Sequence, residues 1–328
     1  MMSILGIEVG GTKLQLGIGA GDGSGFVAFE RRDIDIAKGA AGILTQIEHT
    51  GHELVAAHPV QRVGIGFGGP VDSTLGRVIK SIQVAGWDDV PLAAWCEEKF
   101  GVPAVLGNDC DCAALAEASF GAGKDSRTVF YVTVGTGVGG GLVIDGKLHG
   151  KGRPAVAEIG QLRPGINADT PAATVESYAA GPGIVAAVMR CLETSDDEVA
   201  KHELRHWQKE ESALNAKAVA DLAASGNSIA QSAIHQATCV LGWAIAQVIT
   251  LTAADVVGKS SPDDYPDDIP FAVRMKLATR AGGGAIVVDI DEELRRPIGT
   301  RAKSLLNCLF EIRCEKWSDV LFWSGIRT

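Results

Sequence analysis

The chain is short of positive charge. Its 328 residues carry 30 Lys and Arg against 40 Asp and Glu, a formal net charge of −10 and a pI near 5.2. A surface this acidic argues against nucleic-acid or anionic-lipid partners. It leaves room for a small anionic ligand, because backbone N–H groups hold phosphate without any basic patch. Cysteine is equally thin. Seven cysteines (Cys96, Cys110, Cys112, Cys191, Cys239, Cys308 and Cys314) are an odd number in a long chain, which suits reduced thiols in a cytosol better than a disulfide framework. Residues 1–6 lack the basic and apolar regions of a signal peptide. The stretch 240–257 comes nearest to a membrane span, but it contains Gln247 and Asp255 and reads as a buried core helix. These absences place the protein in the cytoplasm, with no membrane partner.

Apolar material is ample, at 46% hydrophobic against 21% charged residues, and the length suits about two domains. Glycine is the excess: 41 residues with no collagen-like period, so glycines serve turns or close approaches to a ligand. Residues 4–19 (ILGIEVGGTKLQLGIG) and 129–146 (VFYVTVGTGVGGGLVIDG) share one plan, two apolar runs around a glycine turn. They predict two hairpins, each opening one of two related halves. Strands at 63–67 and 102–106 alternate with helices at 91–100 and 110–120, which points to an α/β protein with a mixed sheet. The second half is helix-rich, with helical spacing at 172–180, 183–192, 216–224 and 229–252. The charged stretch 193–212 reads as a surface insertion. Its His202 and His206 lie at i, i+4, but no third ligand accompanies them, so a solvated helix is the better account. Composition breaks near residue 258: residues 259–328 balance 11 acids with 11 bases and hold five glycines.

Candidate chemistry sits in the turns. In Gly10-Gly11-Thr12-Lys13, backbone N–H groups, a hydroxyl and an ammonium can meet an anion, although an ordinary tight turn is an equal alternative for this segment alone. The run Gly135-Thr136-Gly137-Val138-Gly139-Gly140-Gly141 spells GxGxxG, with Glu158 at a plausible distance for a ribose contact. A Rossmann turn must open a helix, whereas here a strand-like LVIDGKL follows. Asp109 stands at a strand-to-helix junction, where it can act as a base or cap the helix. Asp111, in the same turn, points elsewhere.

The segments IEVGGTK (7–13), GIGFGGPVD (64–72), GWDDVPL (86–92), GNDCDCAALAEASFGAG (107–123), VTVGTGVGGGLVIDGKL (132–148), AEIGQLRPG (157–165) and TVESYAAGPGI (174–184) occur in the order found in ROK-family sugar kinases. The chain resembles that family over residues 4–257. The resemblance implies two ribonuclease-H-like (actin-type ATPase) lobes with a cleft between them: residues 1–122, residues 123–257, and an atypical tail at 258–328. It implies transfer of the γ-phosphoryl of ATP, with Mg²⁺, to a hexose, glucose by default. Asp109 would be the general base, and the turns at Gly10, Gly11, Thr12, Lys13 and at Gly135, Thr136, Gly137 would clamp phosphate. Asn108, Glu158, Glu176 and the backbone at Gly68 and Gly69 would bind sugar hydroxyls. A homodimer is the expected assembly.

Departures from the family pattern are local. Glu8 stands where Asp is usual and would reach Mg²⁺ through water. Gln161 replaces a histidine, and residues 162–176 contain no cysteine where many members carry a zinc motif, so no zinc site is expected. After residue 257 the usual VGGGV-type nucleoside turn is missing. An AGGGAIVV run comes only at 281–288. The nucleoside wall is either rebuilt or replaced by foreign sequence, as a frameshift would produce. The alternative function is therefore a catalytically impaired sugar-binding or regulatory protein. A ROK repressor fits less well, since its DNA-binding helices would precede the first strand.

Overall fold

The computed structural model describes residues 3–81, 83–150, 152–153, 155–165, 168, 170–210 and 214–259, together with 276–279 and 286–289. Strands β1 (Ile4–Val9) and β2 (Lys13–Gly19) form the first expected hairpin, with Ile4 opposite Gly19 and Val9 opposite Leu14. Strand β3 (Ala28–Asp33) adds antiparallel to β2. Helix α1 (Gly39–Ala57) then leads to β4 (Arg62–Phe67), which runs parallel to β1. A small hairpin of β5 (Val71–Asp72) and β6 (Arg77–Val78) precedes α2 (Leu92–Phe100) and β7 (Ala104–Asn108), which lies parallel to β4. The order β3-β2-β1-β4-β7, with β2 alone running against the rest, is the ribonuclease-H-like arrangement.

Alternation explains the two faces of this sheet. Leu5, Ile7, Val9, Leu14, Leu16, Val63, Ile65 and Phe67 are buried and meet α1 and α2. Those helices answer with Ile43, Ile47 and Leu54, and with Leu92, Cys96 and Phe100, at one-face helical spacing. Trp87 packs edge-on against Phe67 at 5.0 Å between ring centroids. The other face bears glycine. A Cβ on Gly107 would come within 2.8 Å of Cys112 Sγ, and one on Gly66 within 3.7 Å of the Asp109 Cα. Bare backbone there seats helix α3 (Asp109–Ser119) directly on the sheet. Strand β7 begins two residues later than expected, after Pro103, which has no N–H to give a ladder, and α3 begins one residue earlier.

The second sheet has the order β10-β9-β8-β11, from β8 (Thr128–Val134), β9 (Val138–Ile144), β10 (Lys147–Leu148) and β11 (Val256–Lys259). The helices are α4 (Val175–Ala179), α5 (Gly181–Thr194), α6 (Glu198–Glu210), α7 (Ala216–Ser225) and α8 (Ser228–Thr252). Thr174 and Ser177 close a capping box on α4, while Asn215 and Asn227 cap α7 and α8. The charged stretch 193–212 is more than a surface insertion. Helix α6 turns Ala200 and Leu204 into the core formed with α5, α7 and α8, because two apolar residues at i, i+4 suffice to dock an otherwise polar helix. Helix α8 is long and apolar enough to cross a membrane by length and composition, yet it buries Ile229, Ala233, Ile234, Ala237, Ala244, Ile245 and Val248. In the tail, β12 (Lys276–Thr279) pairs antiparallel with β13 (Ile286–Asp289). The glycines of the AGGGAIVV run, Gly282–Gly284, lie outside the described residues, as does the side chain of His206.

The chain forms two compact units: Met1–Tyr131 with Gly141–Ala157, and Val132–Gly140 with the chain from Glu158 onward. The expected lobe boundary at 122/123 falls inside the first unit, because 141–157 returns to cover α3. Ala114, Val129, Tyr131 and Val143 form a buried cluster there, joined by Leu148. A Cβ on Gly141 would lie 2.6 Å from the Ala114 Cβ and 2.8 Å from the Cys110 carbonyl oxygen, so α3 is bounded by glycine on both sides. Gly141→Val should therefore cost about 1–3 kcal/mol by overpacking, read as a lower urea midpoint. Gly64→Ala, with nothing within 4 Å of the new methyl, should leave the midpoint unchanged. Equal midpoints for the two variants would refute the seating of α3.

Candidate active site

Asn108 ends β7 in extended conformation (φ −66, ψ 148) and is the N-cap of α3. Its Oδ1 accepts from the N–H groups of Cys110 at 2.9 Å and Asp111 at 3.2 Å. Its Nδ2 donates to the Gly69 carbonyl at 3.1 Å. One amide thus joins the helix to the loop after β4. Asp109 is consequently not the cap. It is the first helical residue, and its Oδ1 accepts from the Cys110 N–H at 2.9 Å.

The other Asp109 oxygen faces the Gly68 backbone. A Cβ on Gly68 would lie 3.3 Å from Asp109 Oδ2, 3.3 Å from the Val9 carbonyl oxygen and 3.5 Å from the Gly10 Cα. The Gly68 N–H donates to that Val9 carbonyl at 2.8 Å. Asp109, Gly68 and Gly10 therefore meet closely, and a side chain at 68 would crowd the carboxylate. Burial pushes the Asp109 carboxyl above the ordinary carboxylate range, against the opposing pull of its hydrogen bonds to Cys110. Asp111 is raised by burial and then by the charge of Asp109. The Cys112 thiol is pushed to about 12, first by surrounding protein and then by Asp111, Asp109 and Glu8, although the residue keeps contact with solvent. Such a thiol stays protonated and unreactive.

The Gly10–Lys13 turn is closed by the Gly10 N–H donating to the Lys13 carbonyl at 2.9 Å, with Thr12 exposed at its tip. Lys13 forms an ion pair with Asp33 across β2 and β3, which holds the Asp33 carboxyl low. Exposed pairs of this kind contribute little, so a phosphate could draw the ammonium away. Glu8 Oε2 accepts from Gln15 Nε2 at 3.0 Å. No group of three or more His, Cys, Asp or Glu among the described residues could hold a metal ion by itself, so a hard cation here would depend on water and substrate oxygens. Sequence reasoning missed one neighbour of this turn. A Cβ on Gly11 would fall 1.5 Å from Gln83 Oε1, a meeting across some seventy residues that leaves no local signal.

In the second unit the expected glycine turn shrinks to Gly135–Gly137, since Gly139–Gly141 already belong to β9. A strand follows, not a helix, so the GxGxxG letters do not mark a Rossmann turn. The Gly135 N–H donates to the Gly137 carbonyl, and the Gly181 N–H at the start of α5 to the Gly135 carbonyl, each at 2.8 Å. Glu176 Oε2 accepts from the Val138 N–H at 2.8 Å and would lie 2.7 Å from a Cβ on Gly137. Glu158 is exposed and precedes a single 3-10 turn, Ile159–Gln161. That turn abuts β9 so closely that a Cβ on Gly160 would lie 2.0 Å from the Val138 carbonyl oxygen.

Residues 4–259 match the ROK family. This chain belongs to it. Among curated relatives of this ROK chain, a glucokinase of Streptomyces coelicolor is 31% identical over 159 residues, 48% of this chain and 49% of that protein. A glucokinase of Halalkalibacterium halodurans is 29% identical over 258 residues, 74% and 75% of the two chains. A putative xylose repressor of Caldicellulosiruptor is 26% identical over 65% of this chain and 54% of that one. The chain spans about half the length of several curated relatives it matches. Among solved structures, a ROK family glucokinase from Streptomyces griseus in complex with glucose and AMPPNP superposes with TM-score 0.66 and 26% identity, covering 80% of this chain and 84% of that one. The ROK chain therefore has the two-lobe α/β fold of the actin-type ATPases.

The double role of Asn108 is testable without knowing the substrate. Asn108→Ala removes the cap and strands the Gly69 carbonyl, which should cost about 1–2 kcal/mol. Asn108→Asp keeps the acceptor and should lose less. Thermal melts in which the alanine variant equals the parent would refute the assignment.

Proposed function

We propose that this ROK protein phosphorylates a hexose with MgATP as cosubstrate, glucose by default, and that Asp109 is the general base. The observation that carries the reading is the Asp109 carboxylate, anchored by one oxygen at the start of α3 and aimed with the other at Gly68 and Gly10. A carboxylate raised by burial is a stronger base than one in water, and it stands beside a turn suited to phosphate. The likeness to a glucokinase that binds glucose and AMPPNP supports the substrates. In this reading Gly10, Gly11, Thr12 and Lys13, with Gly135, Thr136 and Gly137, hold phosphate oxygens. Asn108, Gly68, Gly69, Glu158 and the remaining oxygen of Glu176 orient the sugar, and Glu8 meets Mg²⁺ through water. The protein would work in the cytoplasm as a homodimer.

Asp109→Asn keeps the size and the acceptor while removing the base, so kcat should fall by about 10²-fold or more with hexose affinity retained. The pH dependence has a definite sign. The base works only when ionised, so kcat/KM should fall with decreasing pH through a value above the usual carboxylate range. The fold favours the protonated form, so Asp109 contributes stability as pH falls toward its raised pKa and loses it as pH rises. The asparagine variant should thus melt no lower than the parent at pH 7. Near-parental kcat in that variant would end the assignment.

A second reading, a sugar-binding regulator without turnover, is favoured by the end of the family match at residue 259 and by the repressor among the relatives. Separate calorimetric titrations decide it. The regulator binds glucose while ATP stays weak, because a nucleoside without a wall forfeits burial at roughly 25 cal/mol per Å². Micromolar ATP affinity would eliminate that reading.

A further inference from the structure

The Gly10–Lys13 turn lacks an uncommitted side-chain cation. Lys13 is held by Asp33, while Asp109 stands within reach of Gly10 through Gly68. A phosphoryl group placed here would face a carboxylate, and until Lys13 leaves Asp33 only backbone donors and the Thr12 hydroxyl of the turn would meet it. The side chain that does reach the turn is Gln83. Its carboxamide lies over Gly11, with Oε1 1.5 Å, Cδ 2.7 Å and Nε2 3.4 Å from where a Cβ would stand. Any residue but glycine at 11 would displace it. The carboxamide has no hydrogen-bond partner among the described residues.

Gln83 is exposed, and the residues that follow it are anchored. The Ser81 hydroxyl accepts from the N–H groups of Gln83 and Val84, both at 3.2 Å. Val84 and Trp87 are buried on the sheet, and the Ala85 carbonyl takes the Ala40 N–H at the start of α1 at 2.8 Å. Upstream, the Lys80 carbonyl would lie 3.2 Å from a Cβ on Gly69. Lys80 thus stands beside Gly69, and Gln83 beside Gly11. A solvent-exposed amide with no protein partner among the described residues, laid across the turn proposed above to hold phosphate, is free to donate to an oxyanion there. Rotation about the last side-chain bond presents Nε2 in place of Oε1 at little cost.

We propose that Gln83 is a further catalytic residue, whose Nε2 donates to the phosphoryl oxygens held at the Gly10–Lys13 turn. The proposal deepens the kinase reading and rests on it for the identity of the ligand. It adds a neutral amide donor to the phosphate contacts proposed above for the turn, beside Lys13, whose surface pair with Asp33 a phosphate can displace.

The experiment measures two quantities on the full chain and on Gln83→Ala and Gln83→Glu: tripolyphosphate affinity by calorimetry, and kcat with glucose and MgATP. Gln83→Ala should weaken tripolyphosphate about tenfold and lower kcat about tenfold or more, with glucose affinity unchanged. Gln83→Glu, of the same shape but charged, should lose more on both counts. A merely steric role for Gln83 would leave the glutamate variant like the parent. If the parent phosphorylates glucose but all three proteins share one tripolyphosphate affinity and one kcat, Gln83 is overturned and the kinase reading survives. If the parent binds tripolyphosphate and loses it in both variants, yet phosphorylates no hexose, Gln83 stands as an oxyanion ligand and the kinase reading fails. A parent that binds no tripolyphosphate overturns the proposal.

Discussion

Everything proposed for the first unit depends on how closely the start of α3 lies to the backbone around it. Gly66 and Gly107 lie beneath the helix, Gly141 presses from the other side, and the Asn108 amide ties its first turn to the loop after β4. With glycine on both sides of the helix, the backbone of Asp109 is held close to the sheet, and the hydrogen bond from the Cys110 N–H fixes one of its oxygens. The same crowding withdraws its carboxylate from water and raises its affinity for a proton. Position and basicity therefore share one cause. A mutation that loosens the helix would degrade both together.

The electrostatic character around α3 follows the composition of the chain. Asp109 and Asp111 occupy its first turn, the charge of Glu8 reaches Cys112, and the one lysine of the neighbouring turn belongs to Asp33. In an environment this acidic, a polyanion is best received by backbone N–H groups, hydroxyls and amides, with a divalent cation carried in by the ligand. The proposed phosphate turn is thus compatible with a chain of net charge −10 that has no basic patch there. The same environment also keeps the Cys112 thiol protonated, because both burial and acids oppose thiolate formation.

Much of the architecture was legible in the sequence because it rests on local signals. The alternation in residues 4–19 gave β1 and β2, Gly101 marked the end of α2, and Asn227 opened α8. Other features were hidden because they depend on which residues meet in space. The cap of α3 fell to Asn108 and not Asp109, a one-residue difference that residue preference cannot resolve, since both types cap well. Leu204 sealed a helix that its charges had disguised. Glu176 gave one oxygen to the Val138 N–H, a contact spanning nearly forty residues. The glycines at 139–141 were legible as glycines but not as strand, since their purpose is the approach to α3 and not a turn.

The first unit is discontinuous in sequence: it needs residues 141–157 after the chain has already entered the second unit at Val132. During synthesis, a nascent chain that has emerged only to residue 131 carries the whole sheet from β1 to β7 and all of α3, but not the segment that covers that helix. Until the segment 141–157 clears the ribosome, the cluster around Ala114 has Val129 and Tyr131 but lacks Val143 and Leu148. Vectorial folding of this protein should therefore pause on a sheet whose second layer, α3, is itself incompletely covered. A chaperone that recognises small apolar surfaces would have its opportunity in that interval, before β9 and β10 arrive.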